Sequence, residues 1–395
     1  MANVDFFCCN SGEIVFYLPI HKHLKDGKMV VLKSRYDHER TENFLDKLGI
    51  PYQKKPSKNV SLVITTQTKS EPWTSKYWRD VSKVRLMYSL CEKNKMHQKR
   101  FCEPFSLVLT PGPFSHNMIS KFTNSIIVGY PKYDDFFRGS LKKENILKEL
   151  RLNLDKSKKT ILYAPTSDQE KRSSIPVFHN AIKGLTDEFN VIFKPHIYTD
   201  FNEAYLIEVF RASDVIVVDA LTLLDKLLVI CDLVIGDAQS GIPWEGVLTN
   251  KPTIACIRTS DIAPELLESE ICNENVVPAV EDPDNLRKTL EDILSHPAIW
   301  EEKRLIWADK ICSYRDGTAS KRAAKAIFEF AESSHKLSRM EKRTYLEIVQ
   351  PKKPMPKPTD TVRILKAFLA KVNSLCHLRI KTKRTVAREK ISFRK

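Results

Sequence analysis

Three stretches decide the architecture: TILYAPTSD (160–168), NVIFKPH (190–196) and DLVIGDAQSGIPWE (232–245). Each opens on a run of apolar, partly β-branched residues and closes on small, polar or charged ones. Continuous apolar runs of this length suit strands covered on both faces, as in a parallel sheet flanked by helices. The polar residues then fall at strand carboxyl ends, the edge at which open α/β sheets bind ligands. Working outward, strands are expected at 214–218 and 252–257, and earlier in the chain at 13–18, 28–33, 60–65, 84–88, 106–110 and 125–129. Helical patterns fit between them at 38–48, 141–152, 201–211, 283–295 and 318–333. Alternation on this scale predicts two Rossmann-like parallel-sheet α/β domains facing across a cleft.

A chain of 395 residues exceeds what one core usually serves. The strand–helix series breaks near 130–158, where PKYDDFFRGSLKKENILKEL (131–150) is polar and helical. An N-terminal domain is therefore expected over 1–145 and a C-terminal domain over 155–335. VQPKKPMPKPTD (349–360) marks a Pro/Lys linker within 336–360, and a basic helical tail follows over 361–395.

The net charge of +15 is unevenly placed. Residues 336–395 hold 18 of the 64 Lys+Arg and 4 of the 49 Asp+Glu, so the tail carries +14 and the body +1. A neutral body argues against a nucleic-acid-binding core, and the tail is the part that seeks a polyanion. Within it Val362, Leu365, Phe368, Leu369, Val372, Leu375 and Cys376 form one helical stripe, followed by RIKTKRTVAREKISFRK (379–395). An amphipathic helix with a polybasic run suits an anionic membrane surface. The N-terminus lacks a basic signal-peptide region, and no run is apolar enough to span a bilayer. A cytoplasmic, peripheral membrane protein is expected. The nine cysteines show no CxxC spacing, so they read as small buried hydrophobes and no zinc site is expected.

The chemistry concentrates between Ile161 and Glu245. Ser240 and Gly241 would open the helix after their strand, where free N–H groups and the helix dipole bind phosphate oxygens. Lys194 or His196 would add positive charge against a pyrophosphate. Asp237 or Ser240 taken singly reads equally well as a helix cap.

These residues also resemble a known family. ILYAPTSD (161–168) is similar to the "LYAPTWRD" segment of the CDP-glycerol glycerophosphotransferases, which build teichoic-acid-like polymers. Gly129-Tyr130-Pro131-Lys132-Tyr133-Asp134 resembles their "GYPRND", and Lys194-Pro195-His196 their "KLHP". Asp237-Ala238-Gln239-Ser240, followed by Glu245 and Lys251-Pro252, resembles "TDYSS…F/E…KP". Asp316 to Arg322 (DGTASKR) resembles "DGKASER". The five segments keep their order over roughly 80–335. The resemblance implies a GT-B fold with an N-terminal acceptor domain and a C-terminal nucleotide-donor domain. It implies a transferase that moves glycerol- or ribitol-phosphate from a CDP-activated donor to a hydroxyl of a lipid-linked or surface-glycan acceptor. Thr166, Ser167, Lys194, His196, Gln239, Ser240, Gly241 and Arg322 would then hold donor phosphates. Pro131 and Glu245 would face the nucleotide, and Tyr88, His196 and Asp237 are the catalytic candidates. No cofactor or resident metal is implied beyond the nucleotide-activated donor.

Two departures stand out. The family's "HG(T/L)xxK" segment has Tyr88-Ser89-Leu90-Cys91-Glu92-Lys93 as its best counterpart, with tyrosine where histidine is expected. A phenol with an unperturbed pKa near 10 is a poor base at neutral pH. His21, His23, His97 and His116 are the alternatives. The arginine of "TWRD" is absent, since Ser167 directly precedes Asp168. A nucleotide-sugar glycosyltransferase and a non-catalytic GT-B-like binding subunit are the rival readings.

Overall fold

The computed structural model describes residues 3–333, apart from 25, 34–36, 68, 70, 92–101 and 259–269. The linker and tail expected over 336–395 lie outside the described residues.

Seven strands build the first sheet: β1 (Val4–Phe7), β2 (Lys28–Val30), β3 (Tyr52–Gln53), β4 (Leu62–Thr65), β5 (Ser82–Leu86), β6 (Leu107–Thr110) and β7 (Ser125–Ile127). Six build the second: β8 (Thr160–Tyr163), β9 (Asn190–Phe193), β10 (Ile216–Val217), β11 (Leu233–Asp237), β12 (Thr253–Cys256) and β13 (Ala279–Val280). Every strand pairing among the described residues is parallel, as in β1 with β4 and β8 with β11. The continuous apolar runs explain this. LVIT, LVLT, TILY and NVIF are buried at all four positions, which requires helices on both faces.

The two sheets share one strand order: β3-β2-β1-β4-β5-β6-β7 and β10-β9-β8-β11-β12-β13. In each, the chain runs outward from a central strand and then returns to that strand's other side. The switch points lie between β1 and β4 and between β8 and β11. Loops diverge there and leave the crevice in which such sheets bind ligands.

One expected strand is a helix. EIVFYL (13–18) is not a strand; it lies in the helix Ser11–His21, and the first strand is Val4–Phe7. Ile14, Tyr17 and Ile20 are the fully buried apolar positions, a helical spacing of three. Apolar neighbours at 15, 16 and 18 mask that period, because they too are packed against the cores. The helical pattern expected over 201–211 is two helices, Ile197–Asn202 and Tyr205–Arg211.

The last described helix, Ala319–Glu332, has a further surprise. Counted by sequence with the C-terminal domain, it instead packs in the core of the first sheet, where Ala323, Ala324 and Ile327 join Ile14, Tyr17 and Val84. The chain thus crosses between domains twice, near 128–131 and near 312–319. Gly129 permits the crossings to pack. Its φ is +87°, and a Cβ there would come within 3.0 Å of the Ala319 Cβ and the Ser313 carbonyl. Asp134 ties them further, accepting from the backbone N–H groups of Ala319 (2.9 Å) and Ser320 (2.8 Å). No described helix is long and apolar enough to cross a membrane.

Candidate active site

At the β8/β11 switch point the last residue of β11, Asp237, is fully buried. Its Oδ2 accepts from the Thr166 N–H (2.7 Å) and its Oδ1 from the Ser174 N–H (3.1 Å). Burial pushes its carboxyl up to about 7. Each oxygen of Asp237, expected to be catalytic, thus holds a backbone N–H and pins the loop after β8. The same loop is anchored at Asp168, which pairs with Arg258 at 2.7 Å. Asp168 thus finds a cationic partner across the fold, from just beyond β12.

His196 caps the helix Ile197–Asn202, its Nδ1 accepting from the Tyr198 N–H at 3.1 Å. Burial, and then Lys194, lower its pKa to about 4. At neutral pH the ring is uncharged, and an accepting Nδ1 leaves the proton on Nε2. His196, a catalytic candidate by sequence, thus presents Nε2–H as a hydrogen-bond donor. Lys194 donates to the Ala220 carbonyl (2.8 Å), and burial followed by Lys132 lowers its pKa to about 8. Ser240 Oγ accepts from the Ile242 N–H (3.2 Å) ahead of the helix Ile242–Leu248, whose N-cap is Gly241, and Gly241 faces open space. Beside them, both polar atoms of the Gln239 amide are buried without a partner among the described residues. Orphaned polar atoms at a strand end are what a ligand would satisfy.

Two expected residues serve the domain junction. Glu245 accepts from Tyr133 Oη and from Lys132 Nζ (2.7 Å), both at Oε2, across the segment that begins at the buried Pro131. Arg322 donates from Nε to the Val128 carbonyl (3.0 Å) and bidentately to Asp316 (2.9 Å each). Its remaining bonds reach Thr318 and the Tyr314 carbonyl. All five guanidinium donors are thereby used, so Arg322 is a hinge residue, and none of these bonds joins it to His196 or Ser240. This pairing holds Asp316 well below the usual carboxylate range. Lys132 was not expected at the site; it lies over the Phe16 ring at 5.3 Å, and Phe16 in turn meets Tyr88 edge-on at 6.5 Å. Tyr88 is itself exposed, and its carbonyl accepts from Tyr130 Oη at 2.6 Å.

The first sheet offers a matching edge. Glu13 is buried, accepting from the Cys9 N–H (2.8 Å) and Thr66 Oγ1 (2.7 Å), and so staples the ends of β1 and β4. Burial pushes it up to about 7. Facing this lip, a Cβ on Gly12 would lie 3.3 Å from Ile197 of the second domain. Arg40 reaches across to Asp200 at 2.8 Å. A cavity of about 1190 Å³ opens between the helix His38–Lys47 and residues beyond β8, β9 and β10, including Gln169, Tyr198 and Asp219. Of the alternative histidines, His21 and His116 are bonded within the first domain, to the Gly27 carbonyl and Ser125; His97 lies outside the described residues. Among the described residues no three His, Cys, Asp or Glu side chains gather as a metal site.

A family model described as CDP-glycerol:poly(glycerophosphate) glycerophosphotransferase matches residues 93–329, more than half of the chain. The chain belongs to this family. Members of the glycerophosphotransferase family are transferase enzymes, and this chain is one. Over 274 residues it is 24% identical to the teichoic acid glycerol-phosphate transferase of Staphylococcus aureus, spanning 63% of this chain and 67% of that protein. Among solved structures it is similar to the wall teichoic acid polymerase TagF, with a TM-score of 0.59, 16% identity and coverage of 84% of this chain and 89% of the other. It is equally similar to UDP-GlcNAc 2-epimerase from Neisseria meningitidis, with a TM-score of 0.59, 14% identity and coverage of 83% and 100%. At such identities the likeness fixes the fold, which is GT-B. The family match begins at residue 93, so β1–β5, Glu13 and Tyr88 precede it.

Proposed function

We propose that the protein transfers glycerol- or ribitol-phosphate from a CDP-activated donor to a hydroxyl of a lipid-linked or surface-glycan acceptor. The observation that carries this reading is the convergence, around the β8/β11 switch point, of pinned backbone, cations and the orphaned amide of Gln239. In the proposed complex Thr166, Ser167, Gln239, Ser240 and Gly241 bond the pyrophosphate, Lys194 adds charge and the neutral His196 donates from Nε2. Pro131 and Glu245 stand beside the nucleotide. The acceptor oxygen attacks the phosphorus next to the polyol, the bond to the CMP oxygen breaks, CMP leaves with the electron pair, and the hydroxyl proton passes to solvent. Phosphoryl transfer depends mainly on positioning and charge neutralisation, so a phenol such as Tyr88 suffices at the acceptor lip as a hydrogen-bond partner. The basic tail would bring the enzyme to an anionic, acceptor-bearing membrane.

The test is CMP release by purified protein from CDP-glycerol and CDP-ribitol, alongside thermal shifts with CDP-, UDP- and GDP-compounds. The reading expects a CDP-specific shift, weakened by His196→Ala and Ser240→Ala beyond what the loss of the His196 helix cap takes from the apo melting temperature. A shift with UDP-sugars alone would establish the glycosyltransferase alternative; no shift with any nucleotide would favour the binding subunit. Co-sedimentation with anionic vesicles should be lost in a chain ending at Gln350; equal binding by both chains removes the tail from the proposal.

A further inference from the structure

Gln239 stands in the turn after β11, directly before Ser240 and Gly241. Both polar atoms of its amide, Oε1 and Nε2, are buried and lack a partner among the described residues. Few buried polar groups in folded proteins go unmatched, and each one left so weakens the fold. The residue as a whole is half-buried, so a turn about its side-chain bonds brings the amide out to a ligand. Aligned on the aspartate, the "TDYSS" segment has serine at this place, so the amide is a feature of this chain and not of that segment.

The amide makes two demands. Nε2 needs an acceptor, and any phosphate oxygen meets that. Oε1 needs a donor, and a phosphate oxygen ionised at neutral pH has no proton to give. A pyrophosphate alone therefore satisfies half of the side chain. The ligand that satisfies both halves carries a hydroxyl beside a phosphate, which is the chemistry of a polyol phosphate. Neighbouring acceptors are already committed to backbone N–H groups: both oxygens of Asp237, Nδ1 of His196 and Oγ of Ser240. The order of residues agrees as well. Glu245 is proposed beside the nucleotide and Ser240 and Gly241 at the pyrophosphate, and Gln239 lies on the far side of that pair in the chain. A donor runs in the same order, from nucleotide through pyrophosphate to polyol.

We propose that Gln239 is the residue that reads the polyol of the donor, with Oε1 accepting from a polyol hydroxyl while Nε2 donates to the adjoining phosphate. The assignment rests on the CDP-donor reading above. A donor lacking that hydroxyl leaves Oε1 unpaired, and a site built to bond a hydroxyl rejects such an analogue.

The experiment is calorimetric titration of the full-length protein with CDP, CDP-glycerol and the propyl ester of CDP, in which hydrogen replaces both glycerol hydroxyls. Wild type is expected to bind CDP-glycerol about 30-fold more tightly than the propyl ester. In Gln239→Met, which removes the amide at similar bulk, that preference should fall below about threefold. The Nε2 bond to phosphate is common to both ligands, so its loss cancels from the ratio. The apo melting temperature should hold or rise, because the substitution removes two unpaired groups. A lowered melting temperature with an unchanged ratio would assign Gln239 a merely structural role and overturn the proposal. Binding of CDP without a preference for the glycerol ester, or a preference that survives in Gln239→Met, overturns it too and leaves the donor site standing. Absence of binding by all three ligands removes the donor reading, and this proposal with it.

Discussion

Glu13 and Asp237 occupy matching places in the two halves of the molecule. Each is a buried carboxyl that bridges the two strands flanking its sheet's switch point. Asp237 sits at the end of β11 and holds two backbone N–H groups, those of Thr166 and Ser174. Glu13 sits one turn into the helix after β1 and holds one backbone N–H and one side-chain hydroxyl, those of Cys9 and Thr66. The loop after β8 is held by two main-chain hydrogen bonds, whereas one of the two hydrogen bonds of the N-terminal staple comes from a rotatable hydroxyl. The two halves share a topology and a buried carboxyl staple, and differ in where that carboxyl stands, at a strand end in one and in the following helix in the other.

The comparison can be sharpened first through pH, where the largest effect is expected. Both carboxyls lie at about 7 in the folded state, above their ordinary values of 4.5 and 3.8. Below about pH 3 both states are protonated and the contribution to stability is whole. As pH rises toward 7 the unfolded state loses its proton first, and stability falls by up to about 3 kcal/mol for Glu13 and about 4 kcal/mol for Asp237. Urea denaturation of Glu13→Gln and Asp237→Asn should show that decline flattened between pH 4 and 7, by similar amounts in each. A slope unchanged from wild type would mean that the carboxyls are ionised throughout.

Next in size is truncation. Asp237→Ala strands two backbone donors and should cost about 2–4 kcal/mol with at least a tenfold loss of CDP-donor affinity. Glu13→Ala strands one donor, since the Thr66 hydroxyl can turn elsewhere, and should cost about 1–3 kcal/mol. Donor affinity, measured by titration, should stay within twofold for Glu13→Ala; equal losses of affinity in both variants would break the comparison. The smallest effect belongs to the Arg40–Asp200 tie between the two halves. Both partners are about one-third exposed, so Arg40→Gln should change stability by less than about 1 kcal/mol and lose its effect at high salt.

What the sequence discloses follows from how local the cause is. The ends of β8, β9 and β11 are legible because a strand stops where its apolar run stops, at Ala164, Lys194 and Asp237. The helix Ser11–His21 is not, because its buried stripe of Ile14, Tyr17 and Ile20 is filled in by apolar neighbours. Pairings over long separations leave no local trace. Arg258 finds Asp168 across 90 positions, and Lys132 finds Glu245 across 113. Arg322 shows a different failure: its motif marks the residue, while its bonding partners, all within the hinge, depend on the chain's second crossing. The cavity has contributions from both domains and exists only once they face each other.

The return of the helix Ala319–Glu332 to the first sheet has a consequence for how the protein is made. The N-terminal half emerges first from the ribosome, yet its core lacks Ala323, Ala324 and Ile327 until almost the whole described chain has been synthesised. The second sheet, complete by Val280 in strand terms, can close while the first still exposes the apolar groove around Ile14 and Tyr17. The half begun first is finished last, and during synthesis that groove is where a chaperone would be expected to bind.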